Sequence, residues 1–197
     1  MWNLENVNQQ LQDINIELWQ NDFMKKLSLF ILFLTSCSTT QVTNTIETSF
    51  NVNEIDWFLD GGNSIITGSG FMRTLGGDIK SCSGYEVTLW PVSTYADERV
   101  QKLYLSNSNG RNSVSGDTRA GMKFSRLNPE PDPKYIKNTK KTLCDVDGKF
   151  KFQKLAAGEY YLTTTVIWQV GYKYQGGFIM KRVKIREDET KNIVLTY

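Results

Sequence analysis

The chain has 197 residues, of which 40% are hydrophobic, 22% charged and 12% aromatic, a globular composition with room for one domain and a leader. A net charge of +2 is too small to argue for nucleic acid as a partner. The absence of histidine excludes Ser-His-Asp and Cys-His nucleophile systems, histidine general bases and histidine metal ligands.

Residues 1–23 carry Glu5, Asp13, Glu17 and Asp22 and neither Lys nor Arg. They read as an extension upstream of the true start, Met24. From there the order is Lys25-Lys26, the apolar run Leu27 to Leu34, then Thr35-Ser36-Cys37. A positive stretch, a short apolar core and small residues make a secretory signal over 24–36. The apolar run is far short of the ~20 residues that span a bilayer. Leu34-Thr35-Ser36-Cys37 resembles the bacterial lipobox. That resemblance implies a lipoprotein: thioether lipidation of Cys37, cleavage just before it and acylation of the new amine. The expected partner is then a membrane, reached through this lipid anchor, since two or more acyl chains hold stably. By the sorting rule the resemblance implies, Ser38 favours the outer membrane of a Gram-negative cell.

Residues 37–56 are rich in Ser, Thr and Asn and read as a tether. A domain is expected over 57–197, with Trp57 and Phe58 its first packed residues. Ser64 to Met72 reads as a strand, and Gly76-Gly77-Asp78 as a turn. Tyr85 to Trp90 alternates until Pro91. Residues 95–140 read as a long insertion between strands. Val100, Leu103 and Tyr104 have helical spacing, Asn107 to Asn112 reads as a loop, and Pro129, Pro131 and Pro133 argue against regular structure. After the turn Asp145 to Gly148, Lys149 to Gln153 alternates strictly. Tyr160 to Val170 is a long strand with Tyr160, Leu162, Thr164, Val166 and Trp168 on one face. Gly176-Gly177 precedes a strand through Ile179, Val183 and Ile185, and Lys191 to Tyr197 is the last. Short strands separated by turns predict a mostly β, antiparallel sandwich.

Asp145-x-Asp147-Gly148-Lys149-Phe150-x-Phe152-x-x-Leu155-x-x-Gly158-Glu159-Tyr160 resembles the hallmark of carboxypeptidase regulatory-like domains. Val87-x-Leu89-x-Pro91 is similar to an earlier strand of that family. The resemblance implies a transthyretin-like β-sandwich, a non-catalytic module and no cofactor. The insertion and the remaining cysteines depart from the family pattern.

With Cys37 committed to lipid, Cys82 and Cys144 form an even pair in an oxidising compartment. One disulfide is expected between them, the alternative being two buried thiols. Trp90, Trp168, Tyr172 and Tyr174 are candidates for a platform under sugar rings, or else packing residues. Asp145-x-Asp147-Gly148 is closer to a hairpin turn than to a calcium loop, whose distal glutamate it lacks. Lys181, Arg182, Lys184 and Arg186 read as a solvated strand face that discourages edge pairing, with a phosphate-binding surface as the sharper alternative. No base-and-orienter set accompanies any Ser or Asp, so no catalytic residue is assigned. The functional expectation is a cell-envelope lipoprotein with a structural or interaction role, its partner an envelope protein or a glycan. A displayed carbohydrate-binding module is the alternative, and an enzyme using carboxylate chemistry the third reading.

Overall fold

The computed structural model describes residues 45–197. In chain order, a 3-10 turn (Val52–Ile55) leads into α1 (Asp56–Leu59), β1 (Ser64–Arg73), β2 (Ile79–Ser81), β3 (Glu86–Pro91) and α2 (Thr94–Tyr104). Next come β4 (Asn109–Ser113), β5 (Ser115–Asp117), β6 (Gly121–Lys123), α3 (Pro133–Lys137) and β7 (Lys140–Leu143). The chain closes with β8 (Lys149–Leu155), β9 (Gly158–Val170), β10 (Lys173–Ile185) and β11 (Thr190–Leu195). The elements form the expected mostly β fold in two sheets.

The smaller sheet is centred on β1, which pairs with β11 in parallel and with β8 and β2 antiparallel. The larger runs β6-β5-β10-β9-β3-β7, with β4 also paired to β10. Alternating side chains from both sheets meet in one core that includes Ile66, Leu89, Phe150, Leu162, Ile179 and Leu195. Fully burying such a side chain contributes about 1.5–3 kcal/mol. Two glycines of β1 permit the close approach. A Cβ on Gly68 would lie 2.6 Å from the Phe150 ring, and one on Gly70 would lie 2.7 Å from Cys82 Sγ. Cys82 follows β2 and Cys144 follows β7, so their disulfide, with Cα atoms 5.7 Å apart, ties the smaller sheet to the edge of the larger.

The outer face of the larger sheet carries a second apolar cluster beneath α2, containing Tyr95, Ala96, Val100, Tyr161 and Met180. Ser93 caps this helix by accepting from the Ala96 N–H, and Leu105 ends it in a left-handed conformation (φ 57°).

Several expectations change. The sequence reads as a tether to residue 56, but from residue 45 the chain is packed. Ile46 and Ile55 are buried, Phe50 packs against Tyr95 and Tyr135, and the Ile46 N–H donates to the Asn128 carbonyl. Isolated apolar residues in a polar stretch carry that packing, and average composition conceals them. The insertion is part of the sheet: β4 pairs with Gly177 to Lys181 of β10, placing a strand where the sequence reads as a loop. Pairing and burial of Gly110 and Asn112 outweigh low strand propensity there. Pro133 begins α3 at a first-turn position, where a missing N–H costs no hydrogen bond. β10 starts at Lys173 and runs through Gly176-Gly177, because β9 pairs with its whole length. Arg182 is only partly solvated. Its guanidinium lies 2.7 Å from Glu159 and 3.3 Å from Asp97 of α2.

Candidate functional site

Strand pairing places Glu86, Thr88 and Trp90 of β3 beside Thr165, Thr163 and Tyr161 of β9, and these beside Phe178, Met180 and Arg182 of β10. Alternation sends all nine side chains to the outer face. α2 covers the end of this grid around Tyr161 and Met180. Beyond the helix the face is open. Thr88, Thr163 and Thr165 floor a depression of ≈ 260 Å³, with Trp90, Tyr104 and Phe178 around it and Glu86 at one side.

Two recesses adjoin it. One of ≈ 160 Å³ lies between α2, Pro131 and Tyr135 and shares Trp90, Tyr104 and Thr163 with the depression. The other, ≈ 320 Å³, lies between the end of α2 and residues 124–131 and shares Tyr104 and Phe178. Tyr104 lines all three, so they form one cleft around its ring. Burial pushes the Tyr104 phenol above its ordinary value, and it stays a neutral hydroxyl at physiological pH.

The walls are fixed by contacts. Trp90 Nε1 donates to Thr163 Oγ1 at 2.8 Å, and its ring stacks on Tyr135 with centroids 5.4 Å apart. Tyr135 in turn donates its hydroxyl to the Pro91 carbonyl at 3.0 Å. Glu86 accepts from Thr88 Oγ1 at 3.1 Å and pairs with Lys141 at 2.9 Å. Arg99, only 7% exposed, lines both recesses. The site thus offers aromatic walls, a hydroxyl floor, two carboxylates, Glu86 and Glu130, and two guanidinium groups, the buried Arg99 and the exposed Arg126. Among the described residues no group of three or more Cys, Asp or Glu side chains is placed to hold a metal ion.

Of the four aromatic residues proposed from sequence, one lies here. Trp90 lines the cleft. Trp168 stands seven residues along β9 from Tyr161, the partner of Trp90, an odd number that puts it on the opposite face roughly 23 Å away. There it packs at the margin of the inter-sheet core and donates to Gln175 Oε1 at 3.1 Å. Tyr172 is exposed at the β9–β10 turn, with Arg119 5.5 Å over its ring. Tyr174 pairs with Gln169 at the far end of the sheet. The four do not form a platform. Cys82 and Cys144 are joined, and Cys37 lies outside the described residues. Arg99, Tyr104, Thr163 and Phe178 were missed from sequence. A signal existed for one: Tyr95, Arg99 and Leu103 at i, i+4 spacing place an arginine on the apolar face of a predicted helix.

No protein-family model matches the sequence, and no curated protein is significantly similar to it. Among solved structures, the crystal structure of a Pseudomonas aeruginosa protein for which carbohydrate binding has been proposed is similar, with a TM-score of 0.60 at 20% sequence identity. The likeness covers 76% of this chain and 99% of that one. At this identity it establishes a shared fold.

Proposed function

We propose that the chain is a lipid-anchored protein of the cell envelope whose β-sandwich is a non-catalytic module that binds carbohydrate in the cleft around Tyr104. The observation that carries the ligand class is the juxtaposition of Trp90, Tyr104 and Phe178 with a floor of Thr88, Thr163 and Thr165. A sugar ring presents an apolar C–H face and a rim of hydroxyls, and aromatic walls over hydroxyl donors and acceptors match both. The fold shared with a protein for which carbohydrate binding has been proposed supports the reading. The similarity of Asp145 to Tyr160 to the hallmark of carboxypeptidase regulatory-like domains supports a module without catalysis.

A glycan array probed with the mature protein tests the ligand class. Binding that is lost in Trp90→Ala and Tyr104→Ala, with folding retained by circular dichroism, is the expected result. An array without a single bound glycan overturns it and leaves a protein partner as the ligand. The anchor has a separate test. Mass spectrometry should find Cys37 as the acylated first residue, and Cys37→Ala should leave the protein uncleaved or soluble. A different first residue, or an unmodified thiol, ends the lipoprotein reading. Membrane fractionation then tests the outer-membrane placement that Ser38 favours.

A further inference from the structure

We propose that the sugar bound in this cleft is acidic, and that Arg99 and Arg126 form the subsite for its ring carboxylate; the inference rests on the reading of the cleft as a carbohydrate site. Arg99 carries a guanidinium and is only 7% exposed. A buried charge is costly unless it is paired. Its protein partners are neutral: Nη1 donates to Tyr95 Oη at 3.3 Å and to the Pro129 carbonyl at 3.0 Å. The guanidinium also stands 5.4 Å from the Tyr95 ring centroid. The ion pairs among the described residues engage Arg182 and five lysines, and Arg99 is in none of them. Arg182, on the same face of the sheet, has two carboxylates within 3.3 Å. Among the described residues, the fold therefore pairs one arginine of this face with carboxylates and leaves the other, which lines two recesses, outside every ion pair.

Arg126 lines the same recess as Arg99 and is held over the Phe124 ring at 4.6 Å. Two carboxylates stand nearby. Glu86 is engaged by Lys141 at 2.9 Å, and Glu130 lies exposed on the rim of the recess. Neither forms an ion pair with Arg99. A guanidinium presents parallel N–H donors that match a planar carboxylate in two-point contact, where a lysine would offer a point charge. A uronate or sialate ring sits against the aromatic wall by its C–H face and reaches the arginines by its carboxylate. One ligand thereby meets both the apolar and the cationic parts of the cleft.

The test is an array of neutral, sulfated and carboxylate-bearing oligosaccharides, followed by calorimetric titration of a bound oligomer and its methyl ester against the mature protein. Carboxylate-bearing glycans should be bound selectively, and esterification should weaken binding roughly tenfold or more, the worth of a charge-assisted hydrogen bond. Affinity for the acid should fall with added salt, and affinity for the ester should not. Arg126→Gln, an exposed change that leaves folding intact, should weaken the acid form several-fold and leave the ester unaffected. Arg99→Lys keeps the charge and loses the fork, and should also narrow the gap between acid and ester. Neutral or sulfated glycans bound as well as acidic ones would overturn the carboxylate subsite and leave the carbohydrate reading standing. An array with nothing bound would end both.

Discussion

Glu98 holds one segment of chain, at Glu47 and Thr48, and a lysine at once. Its carboxylate accepts from Lys102 Nζ at 2.8 Å, from the Thr48 N–H at 2.8 Å and from the Glu47 N–H at 3.0 Å. Lys102 foremost, with Thr48 and Glu47, holds the carboxyl at about 2, well below its ordinary 4.5. A depressed folded value means that the contribution to stability is fully present above the unfolded value and is lost as pH falls through the folded one. Glu98→Gln should therefore lower the melting midpoint near neutral pH, and the gap to the parent should close between about pH 4.5 and about pH 2. Melts across that range check it, and a gap constant with pH would mean that the charged form is not the one that matters. The same reasoning applies to Arg182, which joins Glu159, Asp97 and the Tyr161 hydroxyl. Arg182→Met leaves Asp97 without its cation and Glu159 with Lys184 alone, on a part-buried face. It should cost about 1.5–3 kcal/mol in urea unfolding, the range for hydrogen bonds to charged groups.

At the scale of elements, legibility followed local alternation. β8 and β9 were read almost to their ends because Phe150, Phe152, Tyr160, Leu162 and Val166 repeat with period two into one core. β4 was not legible. Its residues are Asn, Gly, Arg, Asn and Ser, and only pairing with β10, which lies more than 60 residues on, makes them a strand. The candidate site was legible in one residue, Trp90, for the same reason: it combines α2, three strands and the segment around Pro131, and no local pattern announces that meeting. The cysteine pair was legible from parity, once Cys37 was set aside. What the structure adds is that the bridge joins two sheets, across a separation of 62 residues. By chain entropy such a link stabilises by roughly 4 kcal/mol, which at about 2–4 °C per kcal/mol for a domain of this size lowers the midpoint by about 10 °C on reduction. Cys82→Ser and Cys144→Ser should each reproduce the loss, and the double variant should add little. Two titratable thiols in the oxidised protein would contradict the bridge.

At the scale of the molecule, the two faces of the larger sheet have different roles. The inner face gives its side chains to the sandwich core, and the outer face carries α2 and the cleft. The residues of the cleft that come from α2 and from the 124–131 segment all lie between Cys82 and Cys144, as does Trp90. The bridge therefore makes this stretch of chain a covalent ring, with Thr163 and Phe178 supplied from outside it. A ring has no free end, so one cut in its exposed loops opens the backbone without releasing either piece. Arg119, exposed in the turn between β5 and β6, is such a place for trypsin. Limited digestion there should give a single band on a non-reducing gel and two on a reducing one. A separated fragment before reduction would show that the ring had not closed. A domain built this way keeps the wall of its cleft attached after a first proteolytic cut.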